Sequence, residues 1–140
     1  MLDTWHTLPE QAEESALATR WQAIRAVRAD VARTLEELRS AGKIGSSLQA
    51  EVTLRADPKT YQLLASLGED IKFVLICSKV TLATANGATG VSIEATASSH
   101  AKCARCWHWR EDVGHDAGHP ELCGRCTSNL FGAGEAREIA

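Results

Sequence analysis

The longest strongly apolar run in this 140-residue chain is Phe73 to Cys77. A helix that crosses a bilayer needs about 20 such residues in succession, so this run excludes a transmembrane span. The opening Met1-Leu2-Asp3-Thr4-Trp5-His6 has no basic stretch leading into an apolar one, which argues against a secretory signal. The expected location is therefore the cytoplasm. No period of about 20–50 residues recurs, which removes solenoids and propellers. Also missing are a glycine-rich phosphate loop, a His-Glu-x-x-His pair and a nucleophile motif, so nothing marks a catalytic constellation. Aromatic residues are scarce at 5%, while 44% hydrophobic and 24% charged residues describe a globular composition rather than a disordered or fibrous one. A domain of this size buries roughly 70% of the surface its unfolded chain exposes, enough for a real core. An excess of basic charge is absent too: the formal net charge is −3 and the isoelectric point lies near 5.9. Modules that bind nucleic acid unaided are usually clearly basic, so any RNA affinity of this chain alone should be weak.

What the chain does have is cysteine in a pattern. Four of its five cysteines fall in "CARCWHWREDVGHDAGHPELCGRC", residues 103–126, as two Cys-x-x-Cys pairs with sixteen residues between Cys106 and Cys123. In a reducing compartment, paired thiols serve metal binding or redox catalysis sooner than structural disulfides. A redox Cys-x-x-Cys of the thioredoxin kind occurs once, at a helix start, and would account for one pair only. Two such turns on a loop that folds back can place four thiolates at the corners of a tetrahedron, with sulfur about 2.3 Å from zinc. The plainer alternative is four small apolar cysteines packed in a core. It meets a loop carrying Arg110, Glu111, Asp112, His115, Asp116 and Glu121, broken by Gly114, Gly118 and Pro120, which builds no core alone. Cys103, Cys106, Cys123 and Cys126 are thus the expected ligands of one structural Zn2+, and four protein ligands leave no position for an activated water. His108, His115 and His119 are expected to be exposed loop histidines, because the softer thiolates already complete the set. Cys77, inside the apolar run, is expected in the core.

Elsewhere the pattern is α+β. Between Ala16 and Ala41, the residues Leu17, Trp21, Ile24, Val27, Val31, Leu35 and Leu38 recur at steps of three and four. That spacing predicts one long amphipathic helix, ended by Gly42 and Gly45. Arg25, Arg28, Arg39 and Lys43 fall along one flank of the stripe, either a phosphate-tracking edge or an ordinary solvated face. "AEVTLRA" (50–56) alternates as a half-buried strand, and "PKTYQLLASLG" (58–68) starts a helix at Pro58 that has ended by Gly68. "KFVLICS" (72–78), "KVTLATA" (79–85) and "GVSIEATAS" (90–98) read as three more strands, the last two joined by a turn at "NGATG". The expected architecture is a long N-terminal helix, a small mixed β-sheet with one helix, and a C-terminal four-cysteine zinc ribbon or knuckle. These parts divide at residues 1–45, 46–99 and 100–140.

Taken in order, "GKIGSSLQAEVTLRA", "DIKFVLICSKVTL", "KCARCWHWREDVGH" and "ELCGRCTSNLFGAGEAREIA" resemble the C-terminal end of bacterial isoleucyl-tRNA synthetases. The resemblance covers nearly the whole chain, and its most specific pieces are "CARCWHW", "CGRCTSN" and "KIGSSLQA". Members of that family are much longer and join isoleucine to its tRNA using ATP, in a Rossmann-like catalytic domain. Neither the His-Ile-Gly-His nor the Lys-Met-Ser-Lys-Ser type of signature for that chemistry occurs here. The resemblance therefore implies a non-catalytic C-terminal piece. Residues 16–45 would be the last helix of the anticodon-binding domain, and the α/β part and zinc module would be an extension beside the anticodon stem-loop. ATP and isoleucine would belong to the catalytic part. The implied partners are the tRNA for isoleucine and the remainder of the synthetase, with neither DNA nor a membrane expected.

Unpaired RNA loops are read by stacking bases on aromatic or arginine planes. Trp107 and Trp109 directly follow the first knuckle, with Lys102, Arg105, Arg110 and Arg125 around them. Together with the basic flank of the long helix, they form the candidate tRNA-facing surface. Each has a plainer role as well: a Trp beside a knuckle can be the module's small core, and the cations can neutralise a net-negative zinc–thiolate centre. Two rivals stay open. One is a DNA-binding finger like that ending the formamidopyrimidine-DNA glycosylases, whose cysteine spacing is similar but whose members begin Met-Pro-Glu where this chain begins Met-Leu-Asp. The other is a protein-interaction module in which Trp21, Ile24, Val31 and Leu35 dock onto partner helices.

Overall fold

The computed structural model describes residue 9, residues 14–85 and residues 90–135. The Met1–His6 opening, most of the turn at "NGATG" and residues 136–140 lie outside them. Helix α1 (Glu14–Ser40) realises the long amphipathic segment. Its stripe is covered: Ile24 and Val31 are fully buried, Val27 and Leu35 nearly so, and Trp21 and Leu38 pack at the margin, whereas Leu17 stays exposed. Gly42 adopts φ 68° and the Lys43 N–H reaches back to the Leu38 carbonyl at 2.9 Å, so the helix closes on a left-handed glycine where the sequence places its end.

Strand β1 (Ala50–Ala56) is central, with β2 (Lys79–Thr84) parallel on one side and β3 (Val91–Ala97) antiparallel on the other. The sheet is mixed, as expected. Leu54 stands opposite Leu82 and Ile93, and Val52 opposite Val80 and Ala95, which gathers the aliphatic residues of all three strands into one cluster with the α1 stripe. Fully burying one such side chain contributes about 1.5–3 kcal/mol. A parallel pair needs a crossover, supplied here by α2 (Pro58–Ala65) and α3 (Ile71–Leu75). The Asp57 carboxylate accepts the Lys59 and Thr60 N–H groups at 3.0 and 3.1 Å and caps α2, with Pro58 pre-setting its first turn.

Two expectations fail here. "KFVLICS" is not a strand: Ile71 and Leu75, four residues apart, bury one side of α3, and the chain then breaks at Ile76, φ 56°, before Cys77 enters the core. A short apolar run has no period that distinguishes strand from buried helix. The sheet part thus carries two helices rather than one. β2 and β3 lie on opposite sides of β1, so they are not neighbours in the sheet.

Beyond the sheet, β4 (Ala101–Lys102) and β5 (Trp109–Arg110) pair antiparallel, and α4 (Gly124–Phe131) follows. The intervening segment is pinned. Ser98 donates its N–H to the Gln49 carbonyl at 2.8 Å and its hydroxyl to Glu51 at 2.7 Å. Ser78 Oγ donates to the Leu48 carbonyl and accepts the Trp109 N–H at 2.6 Å, stitching the cysteine module to the sheet. Among the described residues no helix is long and apolar enough to cross a membrane.

Candidate metal centre

The first cysteine pair sits in the turn between β4 and β5. The Cys103 N–H bonds to the His108 carbonyl at 2.9 Å and the Trp107 N–H to the Cys103 carbonyl at 3.0 Å, which curls the chain around the two thiols. Trp107 closes this knuckle at φ 64°. The second pair is set by α4, which the sequence did not announce: Cys123 is its N-cap residue and Cys126 lies in its first turn. Asp112 holds that end in place, accepting the Gly124 N–H at 3.1 Å while Arg110 donates to both its carboxylate oxygens at 2.9 and 3.2 Å. Burial works to raise the Asp112 pKa, but the Arg110 hydrogen bond and charge and the Gly124 N–H outweigh it and hold it low. A carboxylate at a helix N-terminus also meets the positive end of its dipole.

These two supports bring the sulfurs of Cys103, Cys106, Cys123 and Cys126 within 4.8 Å of one another. Cys106 and Cys123 Sγ are 3.8 Å apart. A tetrahedron with sulfur about 2.3 Å from its centre has an edge of about 3.8 Å, so the spacing suits a zinc ion. Two donors already point at sulfur: the Cys123 N–H at Cys103, 3.4 Å, and an Arg105 guanidinium nitrogen at Cys126, 3.6 Å. Such contacts orient ligands and stabilise thiolates. Burial pushes the Cys103 thiol up, yet the surrounding backbone N–H groups overcome it and bring its pKa down to about 6. Burial first, and neighbouring thiols after it, push Cys106 and Cys123 up. A divalent cation supplies the compensation that these crowded sulfurs lack, since a coordinating thiol is deprotonated outright. The donor set therefore fits a metal. Bound by four thiolates, zinc would have a closed coordination sphere and act as a scaffold rather than activate water.

The other thiol, Cys77, is fully buried in the sheet core, as expected, and burial pushes it up to about 12. His115 is exposed, but His108 is not: its ring is buried, with Nδ1 at 3.1 Å from the Cys106 carbonyl and its edge against Phe73 at 5.5 Å. Burial lowers its pKa. His119 is half-buried and stacks on Phe131 at 4.0 Å. Among the described residues no histidine joins the sulfur group.

The candidate RNA-facing residues separate into three sets. Trp107 is 59% exposed, its indole N–H held by the Ala104 carbonyl at 3.1 Å and the Lys102 ammonium 5.1 Å from its ring centre, with exposed Arg105 two positions away. Trp107 is thus not the module's core, whereas Trp109 is half-buried at the seam with the sheet. Arg110 and Arg125 are committed to carboxylates, the latter to Glu135 at 2.5 Å. Arg25, Arg28 and Lys43 are exposed on or just after α1, and Arg39 pairs with Glu36. The sequence reading missed the roles of Asp112, Ser78 and Phe73: Arg110 stands only two residues from Asp112, but Gly124, Leu48, Trp109, His108 and Arg125, which the three also meet, lie beyond the reach of a local pattern.

Residues 102–129 match the family described as a zinc finger found in FPG and IleRS. The whole chain then separates those two. It is 58% identical over 138 residues to the isoleucine–tRNA ligase of Bordetella pertussis, 53% over 140 residues to that of Aromatoleum aromaticum, and 51% over 138 residues to isoleucine–tRNA ligase 1 of Burkholderia mallei. These matches cover 99–100% of this chain, which spans 14–15% of the length of those curated relatives. The chain corresponds to the C-terminal zinc-finger region of isoleucyl-tRNA synthetases. The interaction-module alternative loses its surface, because Ile24, Val31 and Leu35 are buried against the chain's own sheet.

Proposed function

We propose that this chain is the non-catalytic C-terminal part of a cytoplasmic isoleucyl-tRNA synthetase, and that it helps dock the anticodon stem-loop of the isoleucine tRNA so that the catalytic part can aminoacylate it. Activation of isoleucine with ATP belongs to that other part. One structural zinc is held by Cys103, Cys106, Cys123 and Cys126. In this reading residues 1–45 complete the helical anticodon-binding domain, residues 46–99 form a connecting α/β domain, and residues 100–140 carry the finger. The observation that carries the proposal is Trp107: a large, exposed indole with a lysine over its ring, on a finger whose chain matches isoleucine–tRNA ligases over 99% of its length. An exposed tryptophan offers a stacking platform for an unpaired base, and Lys102 and Arg105 are placed for adjacent phosphates. Arg25, Arg28 and Lys43 supply a second, sequence-blind set of phosphate contacts.

Metal analysis and titration in low salt test this. The expected result is one zinc per chain and weak binding biased toward isoleucine tRNA over a non-cognate tRNA. Trp107→Ala should weaken cognate binding by about 1–3 kcal/mol, the worth of one stacked base. Lys102→Ala should weaken both tRNAs alike and reduce the salt slope by about one. One zinc without tRNA preference would refute the docking role and leave a purely structural finger. No zinc would refute the centre itself.

A further inference from the structure

We propose that Phe73 is a positioning residue, a plug on α3 that locks the metal module onto the sheet and so sets the angle at which the Trp107 face meets RNA; this rests on the function proposed above. Phe73 is half-buried and belongs to neither the aliphatic cluster of the sheet nor the cysteine cluster of the finger. Its helix is anchored from the other side by Ile71 and Leu75 in the core. The ring has the Lys72 ammonium of its own helix 5.4 Å from its centroid and also meets the finger. The His108 ring packs against it at 79°, centroids 5.5 Å apart, and the Arg125 guanidinium lies 4.8 Å from its centroid. His108 follows the first cysteine pair by two residues and Arg125 lies inside the second, between Gly124 and Cys126. The two contacts therefore converge on Phe73 when both knuckles are closed around one centre. Arg125 is steadied from behind by Glu135 at 2.5 Å.

A second tie between the parts is the Trp109 N–H to Ser78 Oγ, 2.6 Å. The connecting segment is tied as well, Ser98 by its hydroxyl to Glu51 at 2.7 Å and His100 Nε2 at 3.7 Å from the same carboxylate; the aromatic contact on α3 adds a tie to the second knuckle that none of these makes. Edge-to-face and cation–π contacts are directional, so the plug fixes orientation as well as distance.

The test uses the zinc-loaded full chain with Phe73→Ala, Phe73→Tyr and Ser78→Ala. Nitrogen-15 relaxation gives separate rotational correlation times for residues 50–97 and 101–131. The unaltered chain should show one common value. Phe73→Ala should keep one zinc and both folded spectra while the finger tumbles faster than the sheet, and cognate tRNA affinity should fall about tenfold through lost preorganisation. Phe73→Tyr, which keeps the ring, should restore both readouts, and Ser78→Ala should loosen the seam less than Phe73→Ala. A Phe73→Ala chain that still tumbles as one body, loses its zinc or unfolds its sheet would overturn the proposal. Failure of the unaltered chain to bind tRNA would count against the docking function alone, since relaxation decides the clamp.

Discussion

The sheet domain and the finger meet the same requirement, an interior sealed from water, with different materials. In the sheet and the long helix packed on it, thirteen buried residues form one cluster, and all but Cys77 are Ala, Val, Leu or Ile. In the finger the buried cluster is Cys103, Cys123 and Cys126, with Cys106, Val113 and Leu122 half-buried around it. Aliphatic burial grows with the number of side chains and tolerates the loss of one. The cysteine cluster has almost no apolar area of its own, so its stability rests on what its sulfurs bind. The charged side chains around it pair with one another: Arg110 with Asp112, Arg125 with Glu135.

Removing the metal should therefore produce the largest and most local effect. Structural zinc contributes about 10–16 kcal/mol of apparent free energy in zinc-finger peptides. Chelation, or Cys123→Ser, should unfold residues 101–131 while α1 and the three-stranded sheet survive, seen as retained helical circular dichroism with loss of the finger's amide protection. A single cooperative unfolding of the whole chain on chelation would show that the two regions share one stability. The converse change is Leu54→Ala. Leu54 is fully buried at the centre of β1, and such truncations cost about 2–5 kcal/mol. Its urea midpoint should fall while the zinc content of folded protein stays unchanged, and a parallel loss of zinc would deny the separation.

The same contrast explains what the sequence made legible. Helix α1 and strand β1 bury one face of a regular element, so Ile24, Val31 and Leu35 recur at helical spacing while Val52 and Leu54 alternate. The cysteine pairs are equally plain, because metal geometry imposes its own spacing. Helix α3 was misread because Phe73, Val74, Leu75 and Ile76 are apolar whichever way they point, although Ile76 ends up 44% exposed at a left-handed position. Helix α4 went unread because its buried face is Cys126 rather than a row of leucines. His108 was expected in solvent and lies buried, since the face that covers it belongs to Phe73, thirty-five residues earlier. Seams between regions leave no period in the sequence of either.

The smallest predicted effect sets the two regions apart along a pH axis. Metal thiolates must be deprotonated, so acid should release the metal and dissolve the finger first. Among the described residues the sheet domain holds no such thiolate cluster, and one of its acid-sensitive groups is the α2 cap. The Thr60 hydroxyl foremost, with the Thr60 and Lys59 N–H groups, holds the Asp57 carboxyl below its ordinary 3.8. A carboxyl lowered on folding stabilises the fold above its unfolded pKa, and that contribution fades as pH falls through the folded value. Asp57→Asn keeps an oxygen for the N–H groups but never carries the charge. In metal-free protein, where the finger contributes nothing, Asp57→Asn should lie slightly below the unaltered chain in urea midpoint at neutral pH. The two curves should begin to approach one another near pH 3.8, the carboxyl's ordinary value, and meet only below the lower folded value, where the wild-type cap is protonated as well. A difference that persisted unchanged into acid would mean that the cap acts through hydrogen-bond geometry alone, and that the sheet domain has no charge-dependent stability at this helix to set against the finger's.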